Sequence, residues 1–124
     1  NLKYWWQGSI IMPGQHSRVH PRCIVQSTKP LLFYVPNEFT GTSKWVQDSF
    51  ISEKMEKDSH QWQQNVRPAI YYIETMTNKE DMVVDPFLGG GTTGIAALQL
   101  GRKFIGIDND PVAFKMAEDR LRIE

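Results

Sequence analysis

Apolar positions fall into two rhythms along this chain. Early on they come in short runs. Tyr4 to Met12 is aromatic and apolar enough for a strand, and Pro13-Gly14 ends it. Residues 13–22 are polar and read as a loop. Cys23 to Gln26 and Leu31 to Val35 are two apolar runs split by Ser27-Thr28-Lys29-Pro30, which predicts an antiparallel strand pair. Residues 36–65 are polar, punctuated by Trp45, Phe50, Met55 and Trp62, and predict a loop with a helical piece. From Val66 the spacing turns helical: Val66, Ala69, Ile70, Ile73 and Met76 share a face, and Pro68 is tolerable in a first turn. Met82-Val83-Val84 predicts a short buried strand, followed by a glycine loop. Thr93 to Leu100 predicts a helix that Gly101 stops, and Lys103 to Ile107 another strand. Asp110-Pro111 caps and opens a last helix to about Ile123. Helix, strand, glycine loop, helix, strand, helix is a βαβ unit with flanking helices, and it implies a parallel sheet.

Composition narrows the picture only a little. A chain of 124 residues suits one domain, and its formal net charge of +0 gives no strong overall field for nucleic acid. The charge is unevenly spread: Lys3, Arg18, Arg22 and Lys29 all precede the first acid, Glu38. Such a bias is more often a solvated face than a nucleic-acid surface. The single cysteine, Cys23, forms no internal disulfide, and with three scattered histidines it makes no zinc spacing. A reducing cytoplasm is therefore the expected compartment, with no metal and no membrane span. The opening Asn-Leu-Lys-Tyr-Trp-Trp is neither an initiator Met nor a signal peptide, so a fragment or processed product is expected.

The glycine loop carries the chemistry. Gly89, Gly91 and Gly94 satisfy G-x-G-x-x-G between a predicted strand and a predicted helix, and Asp108 ends the next strand. In that context glycines admit a ligand close to the backbone, and the acid accepts hydrogen bonds from ribose hydroxyls. The bland alternative is a tight turn with an unrelated acid. Asp85 decides between nucleoside ligands. A carboxylate repels a pyrophosphate but attracts the ammonium and sulfonium of S-adenosylmethionine (AdoMet). The alternative for Asp85 is an acid serving a helix N-terminus. Phe87 suits the methionine part of such a cofactor, or plain core.

The stretch Asp85-Pro86-Phe87-Leu88-Gly89-Gly90-Gly91-Thr92-Thr93, then Ala96-Ala97, then Gly101-Arg102-Lys103-Phe104-Ile105-Gly106-Ile107-Asp108, resembles the N6-adenine and N4-cytosine DNA methyltransferases. Ala117-Glu118-Asp119-Arg120-Leu121 resembles their closing helix, and Lys29-Pro30-Leu31-Leu32-Phe33-Tyr34 a late strand of their catalytic sheet. Gly90 stands where many members have Ser. The resemblance implies a cofactor site of Asp85, Pro86, Phe87, Gly89, Gly91, Thr92, Thr93, Asp108 and Asn109. His60-Gln61-Trp62-Gln63-Gln64 resembles a segment that closes over the cofactor's methionine end, adding His60 and Gln63. For His60 the alternative is a surface histidine, and for Trp62 a core or lid contact.

Members of that family hold a flipped base with an Asp, Asn or Ser followed by Pro-Pro and an aromatic residue. No adjacent prolines occur here, so no catalytic residue is assigned. The resemblance then implies a permuted order: 1–35 as late strands of the catalytic half, 36–59 as a loop or short target-recognition segment, and 60–124 as the AdoMet part of a single domain. The expected fold class is α/β, a partial Rossmann-like AdoMet-dependent methyltransferase fold, with a parallel sheet and an antiparallel strand pair. The expected partners are DNA and either a missing N-terminal half or a second copy. The rivals are an RNA or other AdoMet-dependent methyltransferase, a dinucleotide-dependent oxidoreductase, and a non-catalytic nucleotide-binding module.

Overall fold

The computed structural model describes residues 1–14, 17–19, 22–41, 44–52 and 65–122. It divides into two compact units, Asn1–Lys54 and Met55–Glu124. No helix among the described residues is long and apolar enough to cross a membrane.

The first unit is built on the long strand β1 (Leu2–Ile11), followed by β2 (Ser17–Val19), β3 (Ile24–Gln26), β4 (Thr28–Pro36) and β5 (Ser49–Ile51). β1 lies between β4, antiparallel from Leu2↔Pro36 to Ile11↔Thr28, and β5, parallel through Ser9↔Ser49. The ladder slips between Tyr4 and Trp6, where β1 carries an irregularity. Side chains alternate about β4. Leu31, Phe33 and Val35 turn inward while Leu32 and Tyr34 are exposed. Trp5 packs edge-on against Phe33 and Phe39, with ring centroids 6.3 and 5.2 Å away, and Tyr4 meets Tyr34 at 5.9 Å. Gly8 is obligatory, since a Cβ there would lie 2.7 Å from the Asp48 carbonyl oxygen.

The predicted pairing of Cys23–Gln26 with Leu31–Val35 is corrected. β3 pairs with β2, through Val19↔Ile24, and β4 pairs with β1. Only Ser27 separates β3 from β4, which leaves no room for the reversal that antiparallel neighbours need. The chain runs from one ladder directly into the other. β2 also lies within the predicted loop at 13–22, and β5 within the predicted loop at 36–65. Pro30 is compatible with β4 because β4 is an edge strand of its sheet. Within the predicted loop with a helical piece at 36–65, residues 42–43 and 53–64 lie outside the described residues.

The second unit follows the predicted order: α1 (Arg67–Met76), β6 (Met82–Asp85), α2 (Thr92–Gln99), β7 (Lys103–Gly106) and α3 (Pro111–Leu121). β6 and β7 are parallel, from Met82↔Lys103 to Asp85↔Gly106. Pro68 sits in the first turn of α1, and the Asn65 side chain accepts from the Arg67 amide at 2.9 Å. Gly101, at φ +70°, stops α2. The Asp110 side chain accepts from the Val112 amide at 2.9 Å and caps α3. Leu88, Ile95, Ala96, Ala97 and Ala117 are buried and form the core of this unit. Val83 and Phe104 turn toward it, while Met82, Val84, Ile105 and Ile107 on the other face stay exposed.

Arg102 is buried and links elements of this unit. Its Nε donates to Thr77 Oγ1 at 3.0 Å, its Nη2 to the Thr77 carbonyl at 2.9 Å, and its Nη1 to the Leu100 carbonyl. The end of α1 and the end of α2 are thus held by one guanidinium. Hydrogen bonds to a charged donor are each worth about 1.5–3 kcal/mol, which offsets the cost of taking the cation out of water.

Candidate functional site

The site forms where β6 ends. Asp85 closes the strand, and its Oδ1 accepts from the Phe87 amide at 3.0 Å, a side-chain turn that starts the loop. Its carbonyl accepts from the Ile107 amide at 2.9 Å. The helix-terminal alternative for Asp85 fails, because α2 begins only at Thr92. Pro86 and Phe87 follow. Phe87 is 87% exposed, so it is not core; Leu88 beside it is only 6% exposed and anchors the loop, donating its amide to the Ile107 carbonyl at 2.9 Å.

Three glycines follow, and the structure separates the roles of the motif positions. Gly89 has φ +49° and Gly91 φ +77°, backbone that glycine adopts without strain. A Cβ on Gly89 would meet nothing nearer than the Phe87 carbonyl oxygen at 3.8 Å, so this position opens onto free space. A Cβ on Gly91 would lie 3.1 Å from that of Ala117. On Gly94 it would lie 2.6 Å from the Phe104 ring and 2.9 Å from Leu121. Gly91 and Gly94 therefore serve packing, and Gly89 faces outward. Gly91 is also the N-cap of α2, so the half-buried Thr92 and Thr93 occupy its first turn.

Asp108 lies immediately after β7 and reaches the loop. Its Oδ2 accepts from the Gly89 amide at 2.7 Å and its Oδ1 from the Asp110 amide at 2.9 Å. These amides, that of Asp110 first and that of Gly89 second, hold the Asp108 carboxyl below the ordinary carboxylate range, against a weaker opposing effect of burial. A carboxylate offers about four acceptor positions, so two such bonds leave capacity for a ligand hydroxyl. Asn109 is exposed next to it.

The fold thus brings Asp85, the glycine loop and Asp108 together as the sequence predicts. His60 and Gln63 lie outside the described residues. Sequence reasoning missed the contribution of α3. Ala117 packs under Gly91, and the Arg120 guanidinium donates to the Gly90 carbonyl. A small residue and a cation three positions apart on one helix were the available signal.

Compared with known proteins, residues 4–119 match the N6/N4 family model described as DNA methylase. The chain belongs to the N6/N4 DNA methylase family. Type II methyltransferase M2.LlaDCHI of Lactococcus lactis subsp. cremoris is 51% identical over 49 residues, covering 40% of this chain and 18% of that protein. Type II methyltransferase M.HinfI of Haemophilus influenzae is 38% identical over 72 residues, covering 58% of this chain and 20% of that protein. The crystal structure of an M1.HpyAVI–SAM complex superposes with a TM-score of 0.76 at 28% identity, over 97% of this chain and 63% of that one. The matches to the two curated methylases therefore span about a fifth of their length. The α/β methyltransferase fold expected from the sequence is the fold of this member of the DNA methylase family, and SAM, the ligand of the solved complex, is the cofactor expected from Asp85.

Proposed function

We propose that this DNA methylase chain supplies the AdoMet site for methyl transfer to an exocyclic amino group of a DNA base, adenine N6 in preference to cytosine N4. The observation that carries this reading is the opening at Gly89, a glycine of positive φ with free space over its Cα, held against the ionised Asp108. That arrangement fits a nucleoside lying close to the backbone with its ribose hydroxyls on a carboxylate. Asp85 supplies negative charge for a cationic ligand, and the exposed Phe87 ring supplies apolar surface for its methionine part. Pro86 shapes the turn, Gly91, Thr92 and Thr93 form the start of α2 under the ligand, and Asn109, His60 and Gln63 complete the set. AdoMet, when bound, supplies a methyl group activated by its sulfonium. The chain's own residues bind and orient, and catalysis by them is mostly positioning.

The acceptor side is proposed to come from residues other than these 124, because no adjacent prolines occur among them. A preceding half or a second copy is the source of choice, with duplex DNA as the partner. The match over residues 4–119 supports assigning both units to one methyltransferase domain; permuted order and a cytoplasmic location are part of the proposal. The test is transfer of labelled methyl from AdoMet to unmodified DNA. The chain alone should transfer none. Adding an upstream methylase segment with its Pro-Pro-aromatic motif should restore transfer, with N6-methyladenine in the DNA digest. A restored assembly that binds DNA and AdoMet yet leaves DNA unmethylated would sink the reading.

A further inference from the structure

Arg120 stands apart from the other cations of α3. Lys115 pairs with Asp119 at 2.8 Å and Glu118 at 3.1 Å, and Arg122 pairs with Glu118 at 2.7 Å, all along the helix surface. Arg120 is half-buried and turns instead to the Gly90 carbonyl. Gly89-Gly90-Gly91 is the stretch of the loop with the greatest intrinsic freedom, because no Cβ restricts it. Its conformation therefore has to be imposed from outside. Asp108 holds its first residue through the Gly89 amide. The Gly90–Gly91 peptide is a rigid plane, so fixing its oxygen also fixes the direction of the Gly91 amide. That amide donates to the Leu88 carbonyl at 2.9 Å, and Arg120 holds the opposite end of the same plane. Ala117, one turn earlier on α3 and fully buried, lets the helix approach Gly91 closely enough for this contact.

We infer that Arg120 is a positioning residue for the cofactor loop. From α3 it clamps the Gly90–Gly91 peptide, so that Gly89 stays open toward the nucleoside and the loop is set before the ligand arrives. Preorganisation of this kind reduces the ordering cost of binding. The inference rests on the reading of this loop as the AdoMet site, although the clamp itself does not.

The test uses the isotopically labelled chain with Arg120→Met, Arg120→Lys and, as a control on the same helix, Arg122→Met. Two quantities are read: the AdoMet dissociation constant by calorimetry, and the Gly91 amide resonance with its hydrogen-exchange rate. Arg120→Met should weaken AdoMet at least about tenfold, the scale of one lost charged hydrogen bond. It should also shift the Gly91 amide and speed its exchange. Arg120→Lys should recover most of both, and Arg122→Met should change neither. If Arg120→Met does not fold, Arg120→Leu, which also removes every donor, takes its place. A Gly91 amide unmoved in the folded Met or Leu variant would overturn the clamp. So would equal losses in Arg122→Met, which would make the effect one of helix stability. If the unaltered chain binds no AdoMet, the proposed function fails, and the Gly91 amide still decides whether Arg120 holds the loop.

Discussion

Replacing Gly94 by alanine should destabilise the second unit, and replacing it by valine should come close to unfolding it. In an ordinary helix interior the opposite is expected, because alanine is favoured over glycine by about 1 kcal/mol. Here the first added atom lies 2.6 Å from Phe104 Cε1 and 2.9 Å from Leu121 Cδ2. Leu121 is flexible and near the end of α3, but Phe104 is a rigid ring that can yield only by moving as a whole. Overpacking of this kind costs about 1–3 kcal/mol, which outweighs the gain in helix propensity and leaves Gly94→Ala roughly 1 kcal/mol less stable. Valine adds two further methyl groups and a stiff branch in the same gap, so its loss should exceed about 3 kcal/mol. Denaturant midpoints measure this, with a fall at constant slope expected for alanine. A Gly94→Ala chain as stable as the original would mean that α2 does not pack on Phe104 as described.

The second large effect concerns Asp108. Asp108→Asn keeps the shape but removes the charge and one acceptor. Its new NH2 group must face either the Gly89 or the Asp110 amide, donor against donor. AdoMet affinity should fall by about 10- to 100-fold, equivalent to about 1.5–3 kcal/mol for a charged hydrogen bond. The same carboxylate sets a pH dependence. Its folded-state pKa is lowered from the ordinary 3.8, chiefly by the Asp110 amide and then by that of Gly89. The ionised form is therefore the one that the fold favours. Its contribution is complete above the ordinary value and is lost as pH falls through the lowered one. Binding should then show no Asp108-dependent change from neutral pH down to about pH 4, with the Asp108 step lying below it and missing from Asp108→Asn. A wild-type loss of affinity near neutrality that Asp108→Asn abolishes would contradict this account.

What the sequence made legible follows from which forces act locally. In the second unit, helical spacing at Val66, Ala69, Ile70, Ile73 and Met76, the stop at Gly101 and the cap at Asp110 are all satisfied within a few residues, and each appears where expected. β2 and β5 are three-residue strands, Ser-Arg-Val and Ser-Phe-Ile, too short to show alternation. Their pairing is decided by distant partners, as is the entry of Thr28, Lys29 and Pro30 into β4. The site divides in the same way. Asp85, the glycines and Asp108 are linked by the βαβ connection, so their meeting could be anticipated. Helix periodicity alone did not reveal that Arg120 meets the Gly90 carbonyl, because it gives the face of a side chain and not the atom it finds.

The most direct measurement is calorimetric titration of the chain with AdoMet, alongside NAD. The account predicts saturable AdoMet binding at one site, no binding of NAD, and a marked loss of AdoMet affinity in Asp85→Ala. Binding of NAD in place of AdoMet would contradict it, because the Asp85 carboxylate would then be tolerating a pyrophosphate that it should repel.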